Sequence, residues 1–249
     1  MNNIAIIIQA RTKSTRLPNK ITKPFFEKQN ILEIIIEKLK KLGYEIFIAT
    51  TIDPSDNIIE KIAYENNVKC FRGDQENVLS RFITICEENK LTHAVRVCSD
   101  NPFISVNFIQ NILSKIENIK TIDYVGYFDN KDQPMILSHY GFFSELISLN
   151  AMLYIQNMSK KSFHFEHVTS FIYENPNQFK ILKIETDKLF NNYKKIRLTV
   201  DNKIDFEIIS FIFSSYEGNH ESHKDLINYI LNSTNFIDKM SNNIKNNKK

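Results

Sequence analysis

Ile4–Gln9 is a short, unbroken apolar run, the pattern of a strand buried on both faces. The period then changes. Over 31–42 apolar residues recur at Ile31, Ile34, Ile35, Leu39 and Leu42, which predicts one buried helix face, and Gly43 follows as its stop. Residues 45–50 predict a second strand. Asp53-Pro54-Ser55-Asp56 reads as a helix start, with a cap, a proline and an acid in order, and that helix runs to about residue 66. Strands follow at 68–71, His93–Cys98 and 123–127, separated by helices at 76–89 and 108–116. This β-α alternation predicts an α/β fold: a three-layer sandwich around a mostly parallel sheet.

Beyond 127 the pattern weakens. Residues 129–162 read as a less regular insertion with one helix at 144–155. Strands at 179–184 and 196–200 and helices at 202–215 and 224–231 close the chain. Residues 1–235 are thus expected to form one domain, with an insertion over about 129–175. Residues 236–249 are expected to be a flexible tail whose end, SNNIKNNKK, frays. The aromatic residues Tyr140, Phe142, Phe143, Phe163 and Phe165 suit either a homodimer surface or a flap covering the sheet.

Composition narrows the chemistry. Hydrophobic residues make up 42% and charged residues 24%, enough for a core and too apolar for disorder. A net charge of +3 argues for no nucleic-acid partner. No run approaches about 18 apolar residues, so no membrane span is expected. MNNIAIII has no basic region of a signal peptide. Three scattered cysteines, Cys70, Cys86 and Cys98, form neither a disulfide framework nor a metal motif, and a cytoplasmic setting is expected. Five glycines lie too far apart for either glycine-rich phosphate cradle.

In an open parallel sheet, ligands bind beyond the carboxyl ends of the strands. Three segments have that address. The first, ARTKSTRLPNK, places Arg11, Lys13, Arg16 and Lys20 among the hydroxyls of Ser14 and Thr15, with no acid to offset them. It suits a polyanion such as a triphosphate, and reads equally as a solvated basic loop. The second places Asp100 directly after a strand, as a metal ligand or as a turn aspartate. The third places Asp201 one step past a strand, while Asp205 reads as the capping carboxylate of the next helix. Two carboxylates facing a basic loop is what a Mg²⁺–nucleotide site needs.

IIIQARTKSTRLPNK, FRGDQENVLSRF, RVCSDNPFI, FEHVTSFIYENP and RLTVDNKIDFEII occur in that order over residues 4–209. Together they resemble the motifs of cytidylyltransferases that make CMP-activated sugars. The similarity is greatest to the branch named for spore-coat polysaccharide biosynthesis, with acylneuraminate and Kdo cytidylyltransferases more distant. The resemblance implies a GT-A-like, Rossmann-like nucleotidyltransferase fold. It implies that Arg11, Lys20 and Asp100 act in catalysis, and that Asp100 and Asp201 hold Mg²⁺. Ala10, Arg11, Ser14, Arg16 and Lys20 would bind the nucleotide, with Thr50, Thr51, Arg72 and Arg81 bordering base and ribose. Glu145 and Arg197 would contact the acceptor, and Glu166 and His167 would do so or lie at a dimer interface. Lys13 and Ser99 depart from the pattern by standing where such proteins keep glycine.

The implied reaction joins CTP to an acidic sugar, or a related phosphorylated acceptor, with release of pyrophosphate. The alternatives are a sugar-1-phosphate nucleotidyltransferase using another nucleotide, a GT-A-type glycosyltransferase, and an inactive nucleotide-binding protein.

Overall fold

A computed structural model describes residues 3–117, 119, 121–192 and 195–246. In chain order its elements are β1 (Ile4–Gln9), β2 (Pro24–Phe26), β3 (Gln29–Asn30), α1 (Ile31–Lys40), β4 (Glu45–Thr51), α2 (Asn57–Glu65), β5 (Lys69–Gly73), α3 (Val78–Glu88), β6 (His93–Cys98) and α4 (Val106–Ile116). Then come β7 (Tyr124–Phe128), β8 (Glu145–Ser148), α5 (Leu149–Met158), α6 (Ser162–Glu166), α7 (Ser170–Glu174), β9 (Ile181–Glu185), α8 (Leu189–Asn192), α9 (Lys203–Ser215), α10 (His223–Leu231) and α11 (Thr234–Asn246). Seven strands form one sheet in the order β5-β4-β1-β6-β8-β7-β9. All neighbours are parallel except β8, which runs antiparallel to both β6 and β7. The expected mostly parallel α/β sheet is therefore present.

The apolar run of β1 divides between two cores. Ile6 and Ile8 join the cluster under α1, α4 and α9, while Ala5 and Ile7 join the cluster under α3 and α5. Side chains alternate along a strand, so a strand with helices on both sides must be apolar at every position. Each fully buried isoleucine contributes roughly 1.5–3 kcal/mol, which makes β1 the anchor of the sheet.

Four expectations change. The helix expected at 144–155 splits into β8 and α5, because a slot between β6 and β7 takes Glu145–Ser148 and Ser148 then caps α5 through its hydroxyl. The strand expected at 196–200 is a buried segment without regular secondary structure, outside the sheet. Leu198 N–H donates to His139 and Val200 N–H to Asp100, both loop carbonyls. The tail expected to fray is helical as α11, since Met240 and Asn243 find buried partners against the domain; residues 247–249 lie outside the described residues. Tyr140, Phe142 and Phe143 are buried around Phe190 and Phe108 rather than displayed, and of the five aromatic residues Phe163 is the one more than half exposed.

Candidate active site

The carboxyl ends of β1 and β6 open on a pocket of about 670 Å³, a volume that suits a small-molecule ligand. One wall of it is the loop over residues 10–20, which has no glycine. The loop is shaped by Thr12 instead. The Thr12 carbonyl accepts from the N–H groups of both Ser14 and Asn19, which draws the two ends together. Asn19 takes the left-handed conformation (φ 60) that Asn tolerates better than most residues.

Thr12 in turn hangs on Asp56. Asp56 Oδ1 accepts from Thr12 N at 2.7 Å and Thr12 Oγ1 at 2.6 Å. Its Oδ2 accepts from Thr50 Oγ1 (3.1 Å), Thr51 Oγ1 (2.5 Å) and Thr51 N (3.3 Å). Burial alone would raise the Asp56 pKa, but the donors of Thr12, Thr51 and Thr50 outweigh it and hold the carboxyl below its usual range. Asp56 was legible in the sequence only as a helix-start acid.

This network corrects two expected ligand contacts. Thr50 and Thr51 are buried and spend their hydroxyls on Asp56, so they brace the loop from behind rather than line the pocket. Arg72 also lies off the pocket. Its Nε donates to the Thr51 carbonyl, Nη2 to the Asp53 carbonyl, and Nη1 to Asn57 and Glu60, tying β5 to the start of α2. Lys13 points away as well and pairs with Asp53 at 2.5 Å on the surface.

The expected residues that do converge are Ala10, Arg11, Ser14, Arg16, Lys20, Arg81, Asp100, Asp201, Glu166 and His167, all of which line the pocket. Lys20 Nζ lies between the two aspartates, 3.2 Å from Asp100 Oδ2 and 3.4 Å from Asp201 Oδ1, and donates to the Val200 carbonyl at 2.6 Å. Arg16 reaches Asp201 Oδ1 at 3.1 Å, and Arg11 pairs with Glu166 at 3.0 Å. Arg81 is buried, with Nη1 on the Ala49 carbonyl. Burial first and nearby Arg11 second pull its pKa down to about 10, so it remains a cation at neutral pH.

Arg197 and Glu145 are not placed to touch an acceptor. Arg197 is 1% exposed, and its guanidinium is filled by Asp205, Asp201 and His139. Burial disfavours its charge, but Asp205 and Asp201 outweigh that and raise its pKa. It fixes Asp201 from behind, while Asp205 completes the expected capping box with Asn202. Glu145 is fully buried beneath the pocket, where it accepts from Arg96, Tyr124, Thr169 and Tyr173. Gly126 makes room for this: a Cβ there would lie 2.4 Å from the Tyr124 hydroxyl.

Arg96 lines the pocket and was not singled out in the sequence. A cation in the middle of the largely apolar strand HAVRVC was the available signal.

The donor set around Lys20 fits a hard divalent cation. Two carboxylates already meet at one positive charge, and Mg²⁺ commonly takes one or two protein carboxylates and completes its shell with water and phosphate oxygens. Among the described residues no cluster of three or more His, Cys, Asp or Glu offers an all-protein cage, as a metal shared with phosphate would not require one.

The fold and pocket define a nucleotidyltransferase-like α/β protein. The cytidylyltransferase family profile matches residues 5–241, and the chain belongs to that family. It is 34% identical over 236 residues to the uncharacterized protein MJ1063 of Methanocaldococcus jannaschii, covering 94% of this chain and 89% of that one. It is 28% identical over 222 residues to the spore coat polysaccharide biosynthesis protein SpsF of Bacillus subtilis, covering 86% and 87%. A cytidylyltransferase structure from Leptospira borgpetersenii superposes with a TM-score of 0.83 at 26% identity, over 95% and 97% of the two chains. A CMP:2-keto-3-deoxy-manno-octonic acid synthetase solved with CTP shares the fold, with a TM-score of 0.62 at 12% identity over 85% and 98%. Membership of this family makes the protein a nucleotidyltransferase enzyme. No helix among the described residues is long and apolar enough to cross a membrane.

Proposed function

We propose that this protein transfers CMP from CTP to an acidic sugar, or a related anionic acceptor, and releases pyrophosphate in surface-glycan precursor synthesis. The observation that carries this reading is the meeting of Arg11, Arg16 and Lys20 with Asp100 and Asp201 at the carboxyl ends of the strands.

An acceptor oxygen attacks the α-phosphorus in line, and the bond to the β-phosphate oxygen breaks. Arg11 and Arg16 neutralise charge on the β- and γ-phosphates. Lys20 turns from the aspartates to the phosphates when the triphosphate enters. Asp100 and Asp201 are the residues that would hold Mg²⁺, which when bound supplies charge neutralisation at the phosphate oxygens. Positioning and fixed charge then supply most of the acceleration.

The deciding experiment has two parts. Thermal shifts with CTP, UTP, GTP and ATP should rank CTP first. Pyrophosphate release from CTP should appear with a nonulosonic or Kdo-like acid. Release with UTP or GTP and a sugar 1-phosphate would instead make the protein a sugar-1-phosphate nucleotidyltransferase.

A further inference from the structure

β8 inserts antiparallel beside β6, and its register sets Glu145 directly across from Arg96. The sheet itself therefore builds this ion pair, with Nη1 at 2.5 Å from Glu145 Oε1. Arg96 Nε donates to Gln9 Oε1 at 2.9 Å, which fixes the plane of the guanidinium. Glu145 is saturated by three more donors, the hydroxyls of Tyr124, Thr169 and Tyr173. Burial first and Glu145 second raise both phenol pKa values well above the usual range, so both tyrosines stay donors.

Arg96 Nη2 makes no hydrogen bond among the described residues, and it is absent from the sealed, unpartnered polar atoms of the interior. Arg96 lines the pocket beside Cys98, Thr169 and Tyr173, on the wall supplied partly by the 129–175 insertion. A guanidinium held on two edges and open on the third is a preorganised anion receptor in a low-dielectric wall.

Resting on the CTP-dependent reading above, we infer that Arg96 is the acceptor's carboxylate anchor and that Glu145 and Gln9 are its positioning residues. A monoanion fits this site better than a phosphate. The edge left open, at Nη2, offers two N–H donors, which suits the two oxygens of a carboxylate better than the three of a phosphate. Of the phosphate-handling cations, Arg16 and Lys20 gather around Asp201 and Arg11 pairs with Glu166.

The test titrates the full chain with nonulosonic and eight-carbon 2-keto-3-deoxy acids, their carboxamides, and polyol phosphates. Each titration is run with and without the α,β-methylene analogue of CTP, which prevents turnover. In the wild type the acid should bind roughly 10- to 100-fold more tightly than its amide, the value of one charge-assisted contact. In Arg96→Gln that preference should fall to near one, with affinity for the CTP analogue within about twofold of wild type, as expected when one contact is lost and the nucleotide half is untouched. The double variant Arg96→Gln/Glu145→Gln removes both buried charges and should show the same collapse, so a folding defect of the single variant leaves the question answerable. Glu145→Gln alone should weaken the acid more than the amide.

Equal binding of acid and amide by the wild type, a preference kept without Arg96, or no acid bound at all would overturn the inference. Polyol phosphates whose binding depends on Arg96 would overturn the carboxylate assignment. Failure of the CTP analogue to bind, with acids still following Arg96, would sink the cytidylyl-transfer reading and leave the anchor standing.

Discussion

Asp56 holds Thr12 by two hydrogen bonds, one to its backbone N–H and one to its hydroxyl, across 44 residues of sequence. This pair shapes the 10–20 loop, which has no glycine to do so. Asp56→Ala would orphan the buried donors of Thr12 and Thr51 at about 1–3 kcal/mol each. The expected outcome is a melting temperature lowered by several degrees and a weaker CTP affinity in the same variant. A CTP dissociation constant unchanged in Asp56→Ala would mean the loop keeps its shape without this tie.

Asp100 and Asp201 should separate on mutation. Asp100 makes its contact with Lys20 in a partly exposed position, whereas Asp201 is buried and braced by Arg197. Asp100→Ala should abolish pyrophosphate release with little change in melting temperature. Asp201→Ala should abolish it and also destabilise, because it removes one partner of the buried Arg197, a class of change that costs about 3–5 kcal/mol when no partner remains and less here because Asp205 stays. Chemical denaturation of both variants checks the contrast.

Lys13→Gly tests the loop from its outer side. Lys13 pairs with Asp53 in the open and does not line the pocket, and exposed pairs are typically worth about 0.2–1 kcal/mol. CTP affinity should stay within about twofold of wild type. A tenfold loss would bring Lys13 onto the triphosphate.

His223 makes stability fall in mild acid. Its ring stacks on Phe108 at 4.4 Å and meets Phe142 at 4.6 Å. Burial, the largest cause, brings its pKa from 6.5 down to about 4, opposed by Glu221 and aided by Lys38. Between those two values the unfolded chain binds the proton and the folded one does not, so stability is full above pH 6.5 and is lost as pH falls toward 4. His93, also depressed by burial, acts in the same direction. Melting temperatures from pH 7.5 to 4.5 should drop less steeply in His223→Leu than in wild type.

Much of the scaffold was written in local pattern. The continuous apolar strand Ile4–Gln9 and the helical periods of α1, α3 and α4 survive because both faces of the sheet must be covered. The cations and the two aspartates were legible because each follows directly from a strand end. Glu145 and Arg197 looked like acceptor contacts because charge stood in the right motif. Burial reassigned both, since a charge with all its lone pairs or N–H groups satisfied inside the protein has none left for a ligand. Thr50, Thr51 and Arg72 changed sides for the same reason.

The sequence by itself determined the alternating sheet and helices, the basic loop without glycine, and the two carboxylates at the strand ends, because periodicity and chain order are local properties. Tertiary structure alone decided that β8 enters antiparallel between β6 and β7, that Asp56 reaches back to Thr12, and that Glu145 stands opposite Arg96. Those relationships join residues 44 and 49 positions apart. Whether such a pair meets depends on which strand takes which slot in the sheet, and no hydrophobic period carries that information.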